Sequence, residues 1–142
     1  MIRYVSAVLC VLAGATALVL SAFGDWIGDR DGKDIPLSDL WSGLGSQTVG
    51  LATSLFVPLV IAAALAVLGA LTRLRLVLAL AALIGLATAG MFMLQQGRTD
   101  SGFDHFHQGW TNAGGGALLL IVATAVLPSQ RRATTVHSYE DQ

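Results

Sequence analysis

The chain is 142 residues long, 54% hydrophobic and only 12% charged, with a mean hydropathy of +0.68. Soluble domains carry about 25% charged residues, so this composition excludes a soluble globular enzyme and a disordered chain, and one cysteine excludes a disulfide scaffold. Eight Lys and Arg stand against nine Asp and Glu in short clusters between long uncharged stretches, and the class expected is an all-α integral membrane protein.

The first apolar stretch runs over about 5–23, from Val5 to Phe23. About 20 apolar residues at 1.5 Å each cross a ~30 Å hydrocarbon core, so this stretch predicts a transmembrane helix. A signal peptide is the alternative, because Arg3 precedes the run. The run is long for an h-region, however, and no small-x-small cleavage site closes it. A lipoprotein reading of Cys10 fails because Leu9 stands where a small residue is needed. Cys10 reads as a small packing residue. It falls on a stripe with Ser6 and Gly14, beside a second stripe of Ala13, Ala17 and Ser21.

The loop 24–48 holds Asp25, Asp29, Asp31, Asp34 and Asp39 against Arg30 and Lys33. A calcium loop would need oxygen ligands at positions 1, 3 and 5 and a glycine at 6. Aligning Gly32 to position 6 leaves Ile27 at position 1 and Ser38 at position 12, so a solvated acidic loop is expected instead. Trp26 and Trp41 in this loop, with Trp110, fall near span ends and predict an outer aromatic belt.

A second span is expected over 49–71 and a third over 76–94, joined by the short basic turn Thr72-Arg73-Leu74-Arg75. Pro58, inside the second, predicts a kink, with Thr53 and Ser54 able to satisfy freed backbone groups. Small residues at four-residue spacing, Ala62, Ala66 and Ala70 and then Ala81, Gly85 and Ala89, predict close helix packing. The outer loop 95–108 comes next, and a fourth span over 109–127 opens with Gly114, Gly115 and Gly116. None of the four spans contains Asp, Glu, Lys, Arg or His.

Positive charge fixes the expected orientation. Arg3, Arg73, Arg75, Arg131 and Arg132 alternate with the acidic loops 24–48 and 95–108. The plan is a four-helix transmembrane domain over 1–128, an antiparallel bundle with both termini cytoplasmic and a polar cytoplasmic tail over 129–142. The single lysine beside seven arginines, with abundant Ala, Gly, Leu and Val, points to a GC-rich bacterial gene and so to the bacterial inner membrane.

Chemistry is sparse. The small multidrug transporters are similar in length and helix number, but they depend on a glutamate in the first helix, and the only glutamate here is Glu140 in the tail. One thiol excludes quinone-linked disulfide chemistry. His105 and His107 in a loop and His137 in the tail do not set up bis-histidine haem ligation. Asp104, His105 and His107 are candidate metal ligands, because His-x-His in an extended segment points both imidazoles one way; zinc or copper would be the ion. Met91 and Met93 are possible thioether neighbours but also fit ordinary helix packing. No phosphate cradle, serine triad or basic nucleic-acid face is present.

Four helices and a long first outer loop ending in Leu40-Trp41-Ser42-Gly43-Leu44 resemble the claudin-type plan in topology. The Gly-Leu-Trp order and the paired cysteines of that family's loop are absent, so neither adhesion nor any site carries over. Three readings remain. The first is a non-catalytic accessory or structural subunit with no cofactor, engaging other membrane proteins through small-residue helix faces or outer loops. The second is an oligomeric permease or channel component. The third is an outward-facing metal-binding protein using His105 and His107.

Overall fold

The computed structural model describes residues 1–43, 45–98 and 108–127. The chain is mostly helical. The elements in order are α1 (Ile2–Ser21), β1 (Asp25–Ile27), β2 (Arg30–Asp31), α2 (Asp39–Ser42), α3 (Phe56–Thr72), α4 (Arg75–Gln96) and α5 (Gln108–Val126), with single 3-10 turns at Gly32–Asp34 and Leu51–Thr53. Three helices, α1, α4 and α5, are long and apolar enough to cross a membrane, and α3 is a shorter apolar helix of 17 residues. The four long helices close a ring in which α1 packs on α3 and α5, and α4 packs on the same two.

The helix α3 begins later than the expected span 49–71, and its start removes the cause for which a kink was expected at Pro58. Ser54 is fully buried, and its Oγ accepts the Phe56 N–H at 3.2 Å while donating to the Leu51 carbonyl at 3.0 Å. This satisfies a first-turn donor that has no intrahelical partner. Pro58 is then the third residue of the helix. Its missing N–H would have been unpaired there in any case, so the ring costs no ladder bond. The residues before Phe56 serve the loop: Leu37 N–H donates to Thr53 O at 2.8 Å and Leu55 N–H to Ile35 O at 3.1 Å.

The turn from α3 to α4 is tight. Leu74 N–H reaches back to Gly69 O at 3.0 Å and Arg73 N–H to Ala70 O at 3.3 Å, the paired bonds of a Schellman closure. Arg73 occupies the left-handed position (φ 56°) that usually falls to glycine. Its guanidinium lies 4.5 Å from the centroid of the Tyr4 ring, a cation–π contact that joins the turn to the start of α1. A Cβ at Gly69 would lie 2.8 Å from the Leu78 nitrogen, so the helices approach each other through backbone at this point.

Small residues line the interior, as the spacing in α3 and α4 predicted: Ala62, Ala66, Ala70, Ala81, Gly85 and Ala89 are all buried. On α1 the buried face is different. Ala7, Val11, Gly14, Leu18 and Ser21 point inward, whereas Ser6 and Ala13 are exposed and Cys10 is half-buried. Gly14 and Gly116 face each other so closely that a Cβ on either would sit 2.8–2.9 Å from the other's carbonyl oxygen. Val11 and Leu18, the bulky neighbours of Gly14 on this face, are buried to 1% and 0% exposure beside that contact. By contrast, a Cβ at Gly114 or Gly115 would meet nothing within 4 Å.

Candidate functional site

The loop 24–48 is a built cap on one end of the helices. A two-residue turn joins β1 to β2, with Gly28 at φ +56°, the sign a primed hairpin turn demands at its first central position. Lys33 N–H donates to Ala22 O at 2.7 Å and Gly32 N–H to Gly24 O at 3.3 Å, tying the hairpin to the end of α1. Pro36 bridges to Ser54, so the far side of the loop returns to the start of α3.

Two side-chain donors pin the cap to the helices through backbone carbonyls, and a third ties α5 to α4. Trp26 Nε1 donates to Ser21 O at 2.6 Å, Gln95 Nε2 to Leu40 O at 2.9 Å, and Trp110 Nε1 to Ala89 O at 3.0 Å. Trp26 is only 2% exposed and stands edge-on to Phe92, with ring centroids 4.7 Å apart at 89°. The indole fits because Gly32 and Gly109 flank it; a Cβ on either would come within 2.6 Å of the ring. The aromatic belt is therefore only partly realised. Trp41 is 63% exposed as a belt residue should be, Trp110 is half-buried, and Trp26 is a core anchor.

Charges on the cap are used locally. Arg30 donates from Nη1 to Gly45 O at 2.6 Å and from Nη2 to Gln47 O at 2.5 Å. Buried Asp39 accepts the Gly45 N–H at 2.9 Å. Lys33 pairs with Asp31 and lies 3.5 Å from Asp34. The hydrogen bond to Asp31 holds its ammonium above the usual lysine range, opposed by partial desolvation and helped by the charges of Asp31 and Asp34. Beside the cap, Leu40, Trp41, Met91, Leu94, Gln95 and Arg98 line a cavity of about 230 Å³. Met91 is half-buried here while Met93 is 39% exposed, so the two thioethers do not converge.

At the opposite end, Tyr4 Oη donates to Ala70 O at 3.4 Å beneath Arg73. Arg75 donates from Nε to Thr124 O and from Nη2 to Ala125 O, both at 3.0 Å. These carbonyls belong to the last turn of α5, where no intrahelical donor is left for them. The start of α1, the α3–α4 turn and the end of α5 thus share one end, with Arg3, Arg73 and Arg75 on it.

The metal candidates Asp104, His105 and His107 lie outside the described residues. Among the described residues, no group of three or more His, Cys, Asp or Glu side chains is placed to hold an ion. Buried hydroxyls in the helices are back-bonded: Ser21 Oγ to Leu18 O at 2.6 Å and Thr88 Oγ1 to Ile84 O at 2.9 Å. Sequence reasoning missed Trp26 and Gln95 as anchors. For Gln95 the available signal was a polar side chain at the very end of an apolar run, in position to reach a loop carbonyl. No family model matches the chain, and no curated protein or solved structure matches it significantly.

Proposed function

We propose that this chain is a four-span accessory subunit of a larger membrane complex, non-catalytic and without a cofactor, with both termini in the cytoplasm of a bacterial cell and the cap facing outward. The observation that carries the reading is how the buried polar groups are used. Ser21, Ser54, Thr88, Gln95 and Trp26 each donate to a backbone carbonyl, so these donors serve the fold.

A fourth span is supported by the place of α3 in the helix ring. At 17 residues it is about 25 Å long, and the cap residues before it extend its apolar reach. The pairing of Gly14 with Gly116 and of Gly24 with Gly109 supports an antiparallel course for α1 and α5. Arg3, Arg73 and Arg75 at one end and the five aspartates of the cap at the other support the orientation.

Docking then falls to the outer cap. The small-residue stripes of α3 and α4 are consumed inside the chain, whereas the cap offers exposed Trp41 beside a cavity that Met91, Leu94 and Arg98 also line. Mild-detergent purification of the tagged protein from its native membrane, followed by mass spectrometry, tests this. Stoichiometric membrane partners that are lost on Trp41→Ala are expected. Recovery of the chain alone under several mild detergents would overturn the reading.

A further inference from the structure

Two open grooves of similar size run along the outside of the helix ring. One, of about 440 Å³, lies between α1 and α3 and is lined by Leu12, Thr16, Leu20, Val60, Ala64 and Val67. The other, of about 420 Å³, lies between α4 and α5. Their walls are alike in chemistry but their ends are not. The α4–α5 groove has a floor of Ala79 and Ala82, walls of Leu83, Leu86 and Ile121, and Arg75 closing one end. No charged residue lines the α1–α3 groove.

Arg75 is exposed and held in place. Two of its five N–H donors are spent on the Thr124 and Ala125 carbonyls, which fixes the guanidinium plane, and the other three have no partner among the described residues. A planar cation with parallel free donors matches a phosphate oxygen pair. From Arg75 to Leu86 the groove spans about 16 Å along α4, close to half of a ~30 Å hydrocarbon core. One end of the groove is therefore built for an anionic head and its length for one leaflet's acyl chain.

We infer that the α4–α5 groove is a binding site for an anionic phospholipid, with the phosphate on Arg75 and an acyl chain along Ala79, Leu83 and Ile121. Basic residues at the ends of grooves between transmembrane helices recognise lipid headgroups by this charge complementarity. The inference rests on the membrane-spanning reading but not on which side is cytoplasmic.

Carbonate extraction of membranes comes first. A chain released by carbonate overturns the membrane reading itself, whereas an embedded chain leaves the lipid site to be judged separately. Native mass spectrometry of the delipidated protein in neutral detergent then compares phosphatidylglycerol with phosphatidylcholine of the same acyl chains. The wild type is expected to prefer phosphatidylglycerol by about ten-fold, because both lipids offer the same phosphate but the choline cation of phosphatidylcholine repels the guanidinium. Arg75→Gln should remove the preference and Arg75→Lys should keep part of it, with folding checked by thermal melting. Ala79→Phe, which leaves Arg75 untouched, should reduce retention of both lipids, and Ala64→Phe in the other groove should change neither. Equal retention of the two lipids by the wild type would overturn the proposal. So would a preference that survives Arg75→Gln, retention unaffected by Ala79→Phe, or binding of inorganic phosphate alone with no lipid retained.

Discussion

Trp26 turns an acidic loop into a cap. Its N–H satisfies the Ser21 carbonyl at the last turn of α1, and its ring fills the space that Gly32 and Gly109 leave open against Phe92. Removing a buried aromatic typically costs about 3–5 kcal/mol, so Trp26→Ala should lower unfolding stability in detergent micelles by that order. Trp26→Phe retains most of the packing and removes one of two donors to the Ser21 carbonyl, which the Gly24 N–H still reaches at 3.2 Å, so a smaller loss of about 0.5–1.5 kcal/mol is expected. Trp41 is exposed, and Trp41→Ala should leave the melting temperature unchanged. A Trp26→Ala protein as stable as the wild type would mean that the cap is held elsewhere. The contrast between two tryptophans of one loop is invisible in their spacing. It is set by the glycines beside one of them, of which Gly109 is remote in sequence.

Among the helices, the α1–α5 contact is sensitive to volume, as is the approach of Gly69 to Leu78 between α3 and α4. A side chain at Gly116 must displace the backbone of α1, because the nearest atom is the Gly14 carbonyl oxygen and not the end of a flexible side chain. Gly116→Leu is therefore expected to destabilise by about 1–3 kcal/mol or more, whereas Gly115→Leu, with open space at its Cβ, should be tolerated. Unfolding of the two variants under identical detergent conditions checks this, and equal effects would refute the contact. The same region marks what was legible. The Ala62, Ala66, Ala70 and Ala81, Gly85, Ala89 stripes were readable from their four-residue spacing, although small residues such as Ala64 and Ala79 also lie on outer faces. On α1 small residues occur all round, so spacing alone chose Ser6 and Cys10. The packed face is set instead by Val11 and Leu18, which are buried on either side of Gly14 where Gly116 approaches. The start of α3 was also missed, because Val49 to Leu55 is nearly as apolar as the helix it leads into. A hydroxyl residue, Ser54, with Pro58 within a turn of it, was the helix-start signal that the hydropathy run concealed. The candidate ligands Asp104, His105 and His107 fall outside the described residues, so their chemistry rests on sequence alone.

For the whole molecule, charge and packing agree on which ends belong together. Arg73 stacks on Tyr4 and Arg75 closes α5, so contacts from three helices gather Arg3, Arg73 and Arg75 at one end. Asp25, Asp29, Asp31, Asp34 and Asp39 lie at the other, where Asp31 and Asp34 meet Lys33 and Asp39 accepts the Gly45 N–H. A bilayer reads this asymmetry through the preference for basic segments on the cytoplasmic side. The expected consequence is measurable in a Cys10→Ala background with single exposed cysteines placed at either end. A membrane-impermeant maleimide should label Asp29→Cys in intact cells and Thr72→Cys only after permeabilisation, since both positions are exposed in the fold. The opposite pattern would invert the bundle and put the cap in the cytoplasm. Labelling of both from outside would mean that α3 and α4 form a hairpin that does not cross. That last outcome bears directly on the 17-residue helix, because a span about 5 Å shorter than the hydrocarbon core must be met by bilayer thinning or by the ring of longer helices around it.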